Sequence, residues 1–578
     1  MDSPGPTLKP LGVLVSLLLI AGLIGLGGYV VLGRKSAPAT APGTGPTPSS
    51  EVAGGGDRAP PQSGGEDRAA AGGASAPELA LAAPEPAPTL PPPAPYVPRD
   101  NTVDIELSEY AGYAGLIAAN GGLEPSDESF FARKHGFKVR IKLSEEEAWD
   151  RLQSGELAAS ATTADVLAVF GRQFNVVVPA QIAYSRGADG IVVTSDVRRV
   201  NDLKGKTLAT IQYTEAEFFI RFLAQESGTP VAIRDDFSIP AKADSINLVF
   251  AEDGDAAGQI FAEDLAAGAG RLAGAVTWEP TPSEVAAVSG GKARMLATNR
   301  NLLIIADILI VNRGFATENP RMVAGLVEGL LEGNRMMRDE PARHAAVVAK
   351  AFNWDAQKTR DELAKVHFSN LPENEAFFSG AIDMAGSFGG IYQSSVLAYG
   401  PEIIKNPVGP ERFVDASHLA ALRASGAFGD QRIVIAPIRT EGKSQLEDDP
   451  LLSRDIRFLF QPNSSALDMS NSANTEDLQR IAKLLQVSPG SFVLLRGHVD
   501  DAKVNEFRKQ GGDSLVRKKA LEAMELSTNR AGEIKRLLIE LHKVDAARIE
   551  TIGRGWEEPA GRASDANRRV EVQWHTLE

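Results

Sequence analysis

The 578-residue chain has no cysteine, which removes disulfides, thiolate nucleophiles, thiolate-held zinc or iron–sulfur centres and any cysteine-linked lipid. Its seven histidines (His135, His344, His367, His418, His498, His542 and His575) form no His-x-x-x-His or His-Glu-x-x-His pair, so neither a metal site nor a metal cofactor is expected. Positive charge is in deficit: 60 Lys and Arg against 75 Asp and Glu leave a net charge of -15, which argues against nucleic acid as a partner. There is no glycine-rich phosphate loop, and no Gly-x-Ser-x-Gly elbow or Ser-x-x-Lys motif in a strand-to-helix context. The expectation is a protein that is not an enzyme and needs no cofactor.

What the chain does have begins with one long apolar run. Residues 11–33 carry no charge, and only Ser16 and Tyr29 interrupt their apolar character. As a helix this run extends roughly 34 Å, enough to cross a hydrocarbon core of about 30 Å. Arg34 and Lys35 separate it from the nearest Ala-x-Ala candidate, Ala37–Ala39, which favours an uncleaved anchor over a removed signal peptide. Residues 1–35 are therefore read as a transmembrane anchor. Flanking charge alone mildly favours the opposite orientation; the modules that follow override it, giving an inner-membrane, single-pass protein with its bulk in the periplasm. Residues 36–98 are Ala, Pro, Gly and Ser with few large apolar side chains, and are read as a disordered linker, because they offer too little burial to offset the entropy of ordering.

After Asp100 the texture becomes globular. Strand candidates lie at 103–107, 137–143, 190–194, 207–211, 246–250 and 307–312, with amphipathic helices between most of them, a pattern of parallel α/β sheets. Ligands of such sheets bind outside the carboxyl ends of the strands. The segments 152–166, 187–193, 202–211, 274–280 and 306–315 together resemble, in order and spacing, ABC-transporter solute-binding proteins of the nitrate, sulfonate, taurine and thiamine-precursor kind (periplasmic binding protein type II). The resemblance covers 99–435 and implies two α/β lobes joined by crossing strands near 185–193 and 304–312, closing on a small solute. Candidate solute-binding residues are Ser108, Tyr110, Thr162, Thr163, Ser185, Tyr213, Thr214 and Glu279. Thr162, Thr163 and Thr214 are equally suited to cap the helices that follow. Tyr213 and Trp278 suit core packing as well as stacking, and Arg186 suits either an anionic ligand or Asp189. An ABC permease is left open as a partner.

Beyond a polar stretch at 440–449, residues 450–578 read β-α-β-α-β-β. The segments 460–468, 497–500, 526–531, 548–559 and 567–571 resemble the OmpA-like peptidoglycan-binding domain. That resemblance implies an aspartate, Asp500, for the ammonium of the diaminopimelate stem peptide and an arginine, Arg530, for its carboxylate, with Arg568 and Arg569 either supporting the site or covering the sheet. The chain departs from the family at Val499, where Thr is usual, and at Ala523, where Asn is usual; each loss weakens binding by about 1 kcal/mol. It also carries about a dozen extra charged residues after Asp500, read as a loop over the site. The reading is a membrane-anchored envelope protein that binds a small solute and attaches to peptidoglycan. The alternative is a structural tether between inner membrane and wall with a degenerate solute cleft.

Overall fold

The computed structural model describes residues 78–144, 149–382, 386–435, 450–461, 464–561 and 564–576. The proposed anchor at 1–35 lies outside them. Among the described residues no helix is long and apolar enough to cross a membrane.

Strands β1 (Thr102–Leu107), β2 (Lys138–Leu143), β3 (Ala159–Thr163) and β4 (Val176–Ser185) enter one sheet. The next six, β5 (Asp189–Thr194), β6 (Thr207–Thr210), β7 (Val231–Ile233), β8 (Ile246–Phe250), β9 (Gly274–Trp278) and β10 (Ala293–Thr298), build a second. The chain then returns to the first with β11 (Ala306–Asn312) and β12 (Val366–Phe368). The orders are β12-β4-β11-β3-β1-β2 and β10-β5-β9-β6-β8-β7. This is a two-lobed α/β fold with two crossings, one at 186–188 and one at 299–305.

The sheets are mixed rather than wholly parallel. β1 pairs in parallel with β2 and β3, whereas β11 runs antiparallel to both β3 and β4. In the second sheet β6, β7 and β8 are parallel, and β5 is antiparallel to β9 and β10. The antiparallel pairs are those that involve the crossing strands, which leave one sheet and return to it from the other.

Pro179 sits inside β4, a central strand, where a missing N–H should break the ladder. The β4–β11 register shifts between Leu309 and Val311, opposite Ala180 and Val177, and Val178 instead donates to the Phe413 carbonyl. The irregularity absorbs the proline.

Residues 78–98, which composition assigns to the disordered linker, pack as an extended strap. Ala82 bridges to Phe250, the Leu90 N–H donates to Gln173, and the Ala94 N–H donates to the Gln153 carbonyl. Tyr96 is buried, with its hydroxyl 2.9 Å from Asp104 Oδ2 and its ring edge-on to Phe315. A proline-rich segment loses little freedom when laid down extended and has few N–H groups to satisfy, so a few anchoring contacts hold it.

The third sheet has the order β13-β16-β14-β15, from β13 (Leu452–Ile456), β14 (Phe492–Gly497), β15 (Ile549–Gly553) and β16 (Val570–His575). Helices Ser472–Val487 and Val504–His542 complete the expected β-α-β-α-β-β order. The extra residues after Asp500 are helical rather than a loop. Gly511 and Gly512 (φ 63°) break that element in two, and the Lys-, Arg- and Glu-rich flanks are good helix formers with solvated side chains. This sheet's first strand docks on the second lobe: Ser453 exchanges two hydrogen bonds with Asn201 at 2.8 Å, and Arg454 donates to the carbonyls of Gln225 and Glu226. The Val487 carbonyl accepts from Leu303, in the returning crossing, at 2.7 Å.

Candidate functional site

The two crossings meet at Asn299, which is fully buried. Its Oδ1 accepts from the backbone N–H groups of Gly187 (2.6 Å) and Asp189 (3.2 Å), and its Nδ2 donates to Ser185 Oγ (2.8 Å) and Asp189 Oδ2 (2.7 Å). Gly187 has φ 107°, a conformation that favours glycine in so short a connection. Asn299 thus ties the two crossings together. Sequence reading missed it, because an isolated Asn in a loop carries no pattern.

Around Asn299 lie acids from both lobes. Asp307, in β11, is registered opposite Thr163, and Asp165 opens the helix Ala164–Phe170. Asp189 begins β5 and Glu215 begins the helix Glu215–Ser227. Asp165, Asp189 and Asp307 are at most 3% exposed. Both Asp165 carboxylate oxygens, Asp189 Oδ1 and Asp307 Oδ2 are buried without a hydrogen-bond partner. Burial first, and then the negative charge of Glu215, push all three carboxyls well above the ordinary range. Burial also raises Glu215, which faces Trp278.

The residues expected to bind solute divide into three groups. Tyr110, Thr163 and Ser185 come together with the acids. The Tyr110 hydroxyl is buried without a partner beside Ser185, and burial and Asp307 push its pKa up. Thr163 is 5% exposed; it holds the N-cap position yet makes no side-chain cap, and its hydroxyl is partnerless beside Asp165. Thr162 is also buried and partnerless.

Glu279 sits at the rim. Burial raises its carboxyl, Ser283 donates to it at 2.8 Å, and its charge acts on Asp189. Tyr213 and Thr214 are used elsewhere. The Tyr213 hydroxyl donates to the strap's Glu85 carbonyl at 2.6 Å, and that of Thr214 to the Ile211 carbonyl at 3.0 Å. Ser108 is half-buried, with its carbonyl accepting from the Tyr110 N–H. Arg186 donates to the Arg300 carbonyl and to Asn301, while Asp189 is held by Ser185 and Asn299.

A second constellation stands at the open end of the third sheet. Asp500 pairs with Arg568 at 2.6 Å. Arg530 lies with its guanidinium 4.7 Å over the Phe460 ring, and its buried Nε has no partner. Burial lowers the Arg530 pKa, Arg568 adds to that effect, and Asp500 opposes it. Arg569 belongs to a different set: it pairs with Asp455 at 2.9 Å and donates to the Glu558 carbonyl. Val499 and Ala523, the departures from the family pattern, are both buried. Phe460, whose ring lies under Arg530, opens the 460–468 segment that carries the resemblance but was not given a site role, because an aromatic at a strand end reads as core.

Among the described residues, one group of His, Asp and Glu could gather on a metal ion: His498, Glu558 and Glu571, with ligand atoms within 4.8 Å of one another. Arg496 already pairs with Glu558 at 2.7 Å and Glu571 at 2.6 Å. A guanidinium on both carboxylates repels an added cation, so the residues do not fit a metal. Burial works to raise Glu571, but His498, Arg496 and Gln573 outweigh it and hold the carboxyl at about 2.

The fold thus defines two α/β lobes joined by two crossings, followed by a third sheet of β-α-β-α-β-β order. The OmpA family model matches residues 459–573. No curated protein matches the chain. Among solved structures, the alkanesulfonate-binding protein SsuA from Xanthomonas axonopodis pv. citri, bound to MOPS, is similar at 16% identity and a TM-score of 0.40, covering 55% of this chain and 99% of its own. The nitrate-binding protein NrtA from Synechocystis PCC 6803 is similar at 12% identity and a TM-score of 0.39, covering 57% and 90%.

Proposed function

We propose that this is an envelope protein that binds a small solute between its two lobes and attaches non-covalently to peptidoglycan through its last module. In this reading residues 1–35 anchor it in the inner membrane, a linker follows, 99–435 bind solute and 450–578 bind the wall in the periplasm. No reaction is assigned to it. Arg530 carries the wall half: a buried guanidinium nitrogen without a partner, beside an aspartate, is what a zwitterionic ligand end requires. The buried, partnerless hydroxyls of Thr163 and Tyr110 between two crossings support the solute half.

Sedimentation with purified sacculi tests the wall half. Asp500→Asn and Arg530→Lys each abolish co-sedimentation while leaving the melting temperature within a few degrees. If both still sediment as wild type does, the peptidoglycan assignment fails. The tether reading draws on Tyr213 and Thr214, whose hydroxyls are consumed within the fold.

A further inference from the structure

We propose that the interlobe site takes an organic cation with two or more N–H-bearing positive centres, a diamine or guanidino-amine, held by Asp165 and Asp307 from one lobe and Asp189 and Glu215 from the other. This rests on the solute-binding reading and names its ligand class.

The charges that act most strongly on Asp165, Asp189 and Asp307 are negative: one another's, Glu215's and Glu279's. Nearby cations are engaged elsewhere. Arg221 pairs with Glu217 at 2.7 Å and stacks on Tyr399; Arg186 reaches the Arg300 carbonyl and Asn301; Lys365 pairs with Glu362 at 2.8 Å. Buried carboxylates without partners are normally neutralised by protonation or by a cation.

The hydroxyls point the same way. Thr163, 5% exposed, turns a partnerless oxygen toward Asp165, and the partnerless Tyr110 hydroxyl lies in the field of Asp307 and Asp189. These hydroxyl oxygens can accept from N–H donors beside the carboxylates, though each more weakly than a carboxylate does. Among the described residues Arg221, Arg186 and Lys365 are already engaged, so an anion here would meet mainly negative charge.

A single metal ion does not fit the spacing. An oxygen-ligated calcium holds its ligands at about 2.3–2.6 Å, so their oxygens fall within about 5 Å of one another. Among the described residues the only such group of three or more is His498, Glu558 and Glu571, in the third sheet. Acids spread over both lobes suit instead an extended cation with a positive centre for each pair. Such a ligand also favours closure: between the lobes it stabilises the ionised carboxyls that burial alone keeps protonated, giving the closed form the higher affinity that closure requires.

The test is calorimetry and thermal melting of the full chain in detergent at low ionic strength, with putrescine, agmatine and spermidine, against taurine, nitrate, and magnesium and calcium chlorides. At least one organic cation binds at one equivalent and raises the melting temperature. Asp189→Asn and Asp307→Asn each weaken it by about tenfold or more, and Tyr110→Phe, which keeps the ring, by a few-fold. Without ligand Asp307→Asn melts no lower than wild type, since it replaces a carboxyl whose ionised form burial disfavours, whereas Asp189→Asn also loses the acceptor of Ser185 and Asn299 and melts lower; if either fails to fold, Tyr110→Phe decides. Cations that bind the variants as tightly as wild type, or metal ions that bind in their place, overturn the proposal. Binding of taurine or nitrate alone overturns the charge assignment and leaves the solute-binding reading standing. Binding of nothing overturns both.

Discussion

Single residues in the third module carry separable jobs. Arg530 and Asp500 are assigned to ligand. Losing one partner of a desolvated charged contact costs about 2–5 kcal/mol of binding. The Asp500–Arg568 pair, with Arg568 52% exposed, contributes under about 1 kcal/mol to folding. Arg569 is the reverse case. Its contacts tie β13 to the loop at Glu558, so Arg569→Ala lowers the melting temperature and leaves sacculus binding intact, as paired melting and sedimentation would reveal. The interlobe acids give a pH signature. Their folded-state pKa values lie above the ordinary 3.8. Above about pH 4 the unfolded chain has released protons that the fold still holds, so stability falls as pH rises through that window. Melts of the ligand-free protein are therefore higher at pH 5 than at pH 8, and Asp307→Asn flattens the difference. Glu571 has the opposite slope, but its window lies between 4.5 and about 2, below the range compared. His135 and His542, whose pKa values burial lowers from 6.5, add the opposite slope below about pH 6.5, so the deciding comparison is between variants: an Asp307→Asn profile identical to that of wild type between pH 5 and pH 8 would mean that Asp307 does not hold its proton.

At the level of elements, legibility followed chemistry. Strands rich in Val and Ile were readable, and six were placed within a residue or so: 246–250 was expected as observed, and 190–194 begins one residue later than β5. β3, reading ASATT, has small polar residues and looks like a binding loop, yet all five residues are buried in the sheet. β4 contains Pro179 and Gln181, which argue against a central strand until the register shift that accommodates them is seen. The eight solute candidates came from strand ends, and three of them, Tyr110, Thr163 and Ser185, meet beside the buried acids. The acids beside them went unassigned: Asp165 and Glu215 near helix starts read as favourable dipole partners, Asp189 as a partner for Arg186, and Asp307 as a lone charged residue in an apolar strand; only tertiary structure puts Asp307 in the field of Asp165 and Asp189. The strap was illegible since composition describes a chain alone, whereas Tyr96 and Leu79 bury themselves against another element. Gly155 gives a handle on it. A Cβ there would lie 2.7 Å from the Pro95 carbonyl oxygen, at φ 80°. Gly155→Ala therefore loosens the strap, and limited proteolysis would cut between residues 78 and 98 in the variant sooner than in wild type; equal rates would show that the strap is held from elsewhere.

Across the whole described molecule, the third sheet is packed on the second lobe and hydrogen-bonded to the returning crossing through Leu303 and Val487. In the proposed function this contact has a mechanical consequence: a third module held by the wall holds one lobe, so closure on a solute moves the other. Small-angle scattering of the full chain in detergent should show compaction with a bound diamine and none with Asp307→Asn.

The central claim, that one chain holds a solute and the wall at once, is tested most directly by sedimenting purified sacculi with the protein and radiolabelled putrescine. Wild type should carry about one label per protein into the pellet, above sacculi alone. Asp307→Asn should sediment without label, and Arg530→Lys should leave both in the supernatant. A wild-type protein that sediments with no more label than Asp307→Asn does, or that stays in solution with its label, would contradict it.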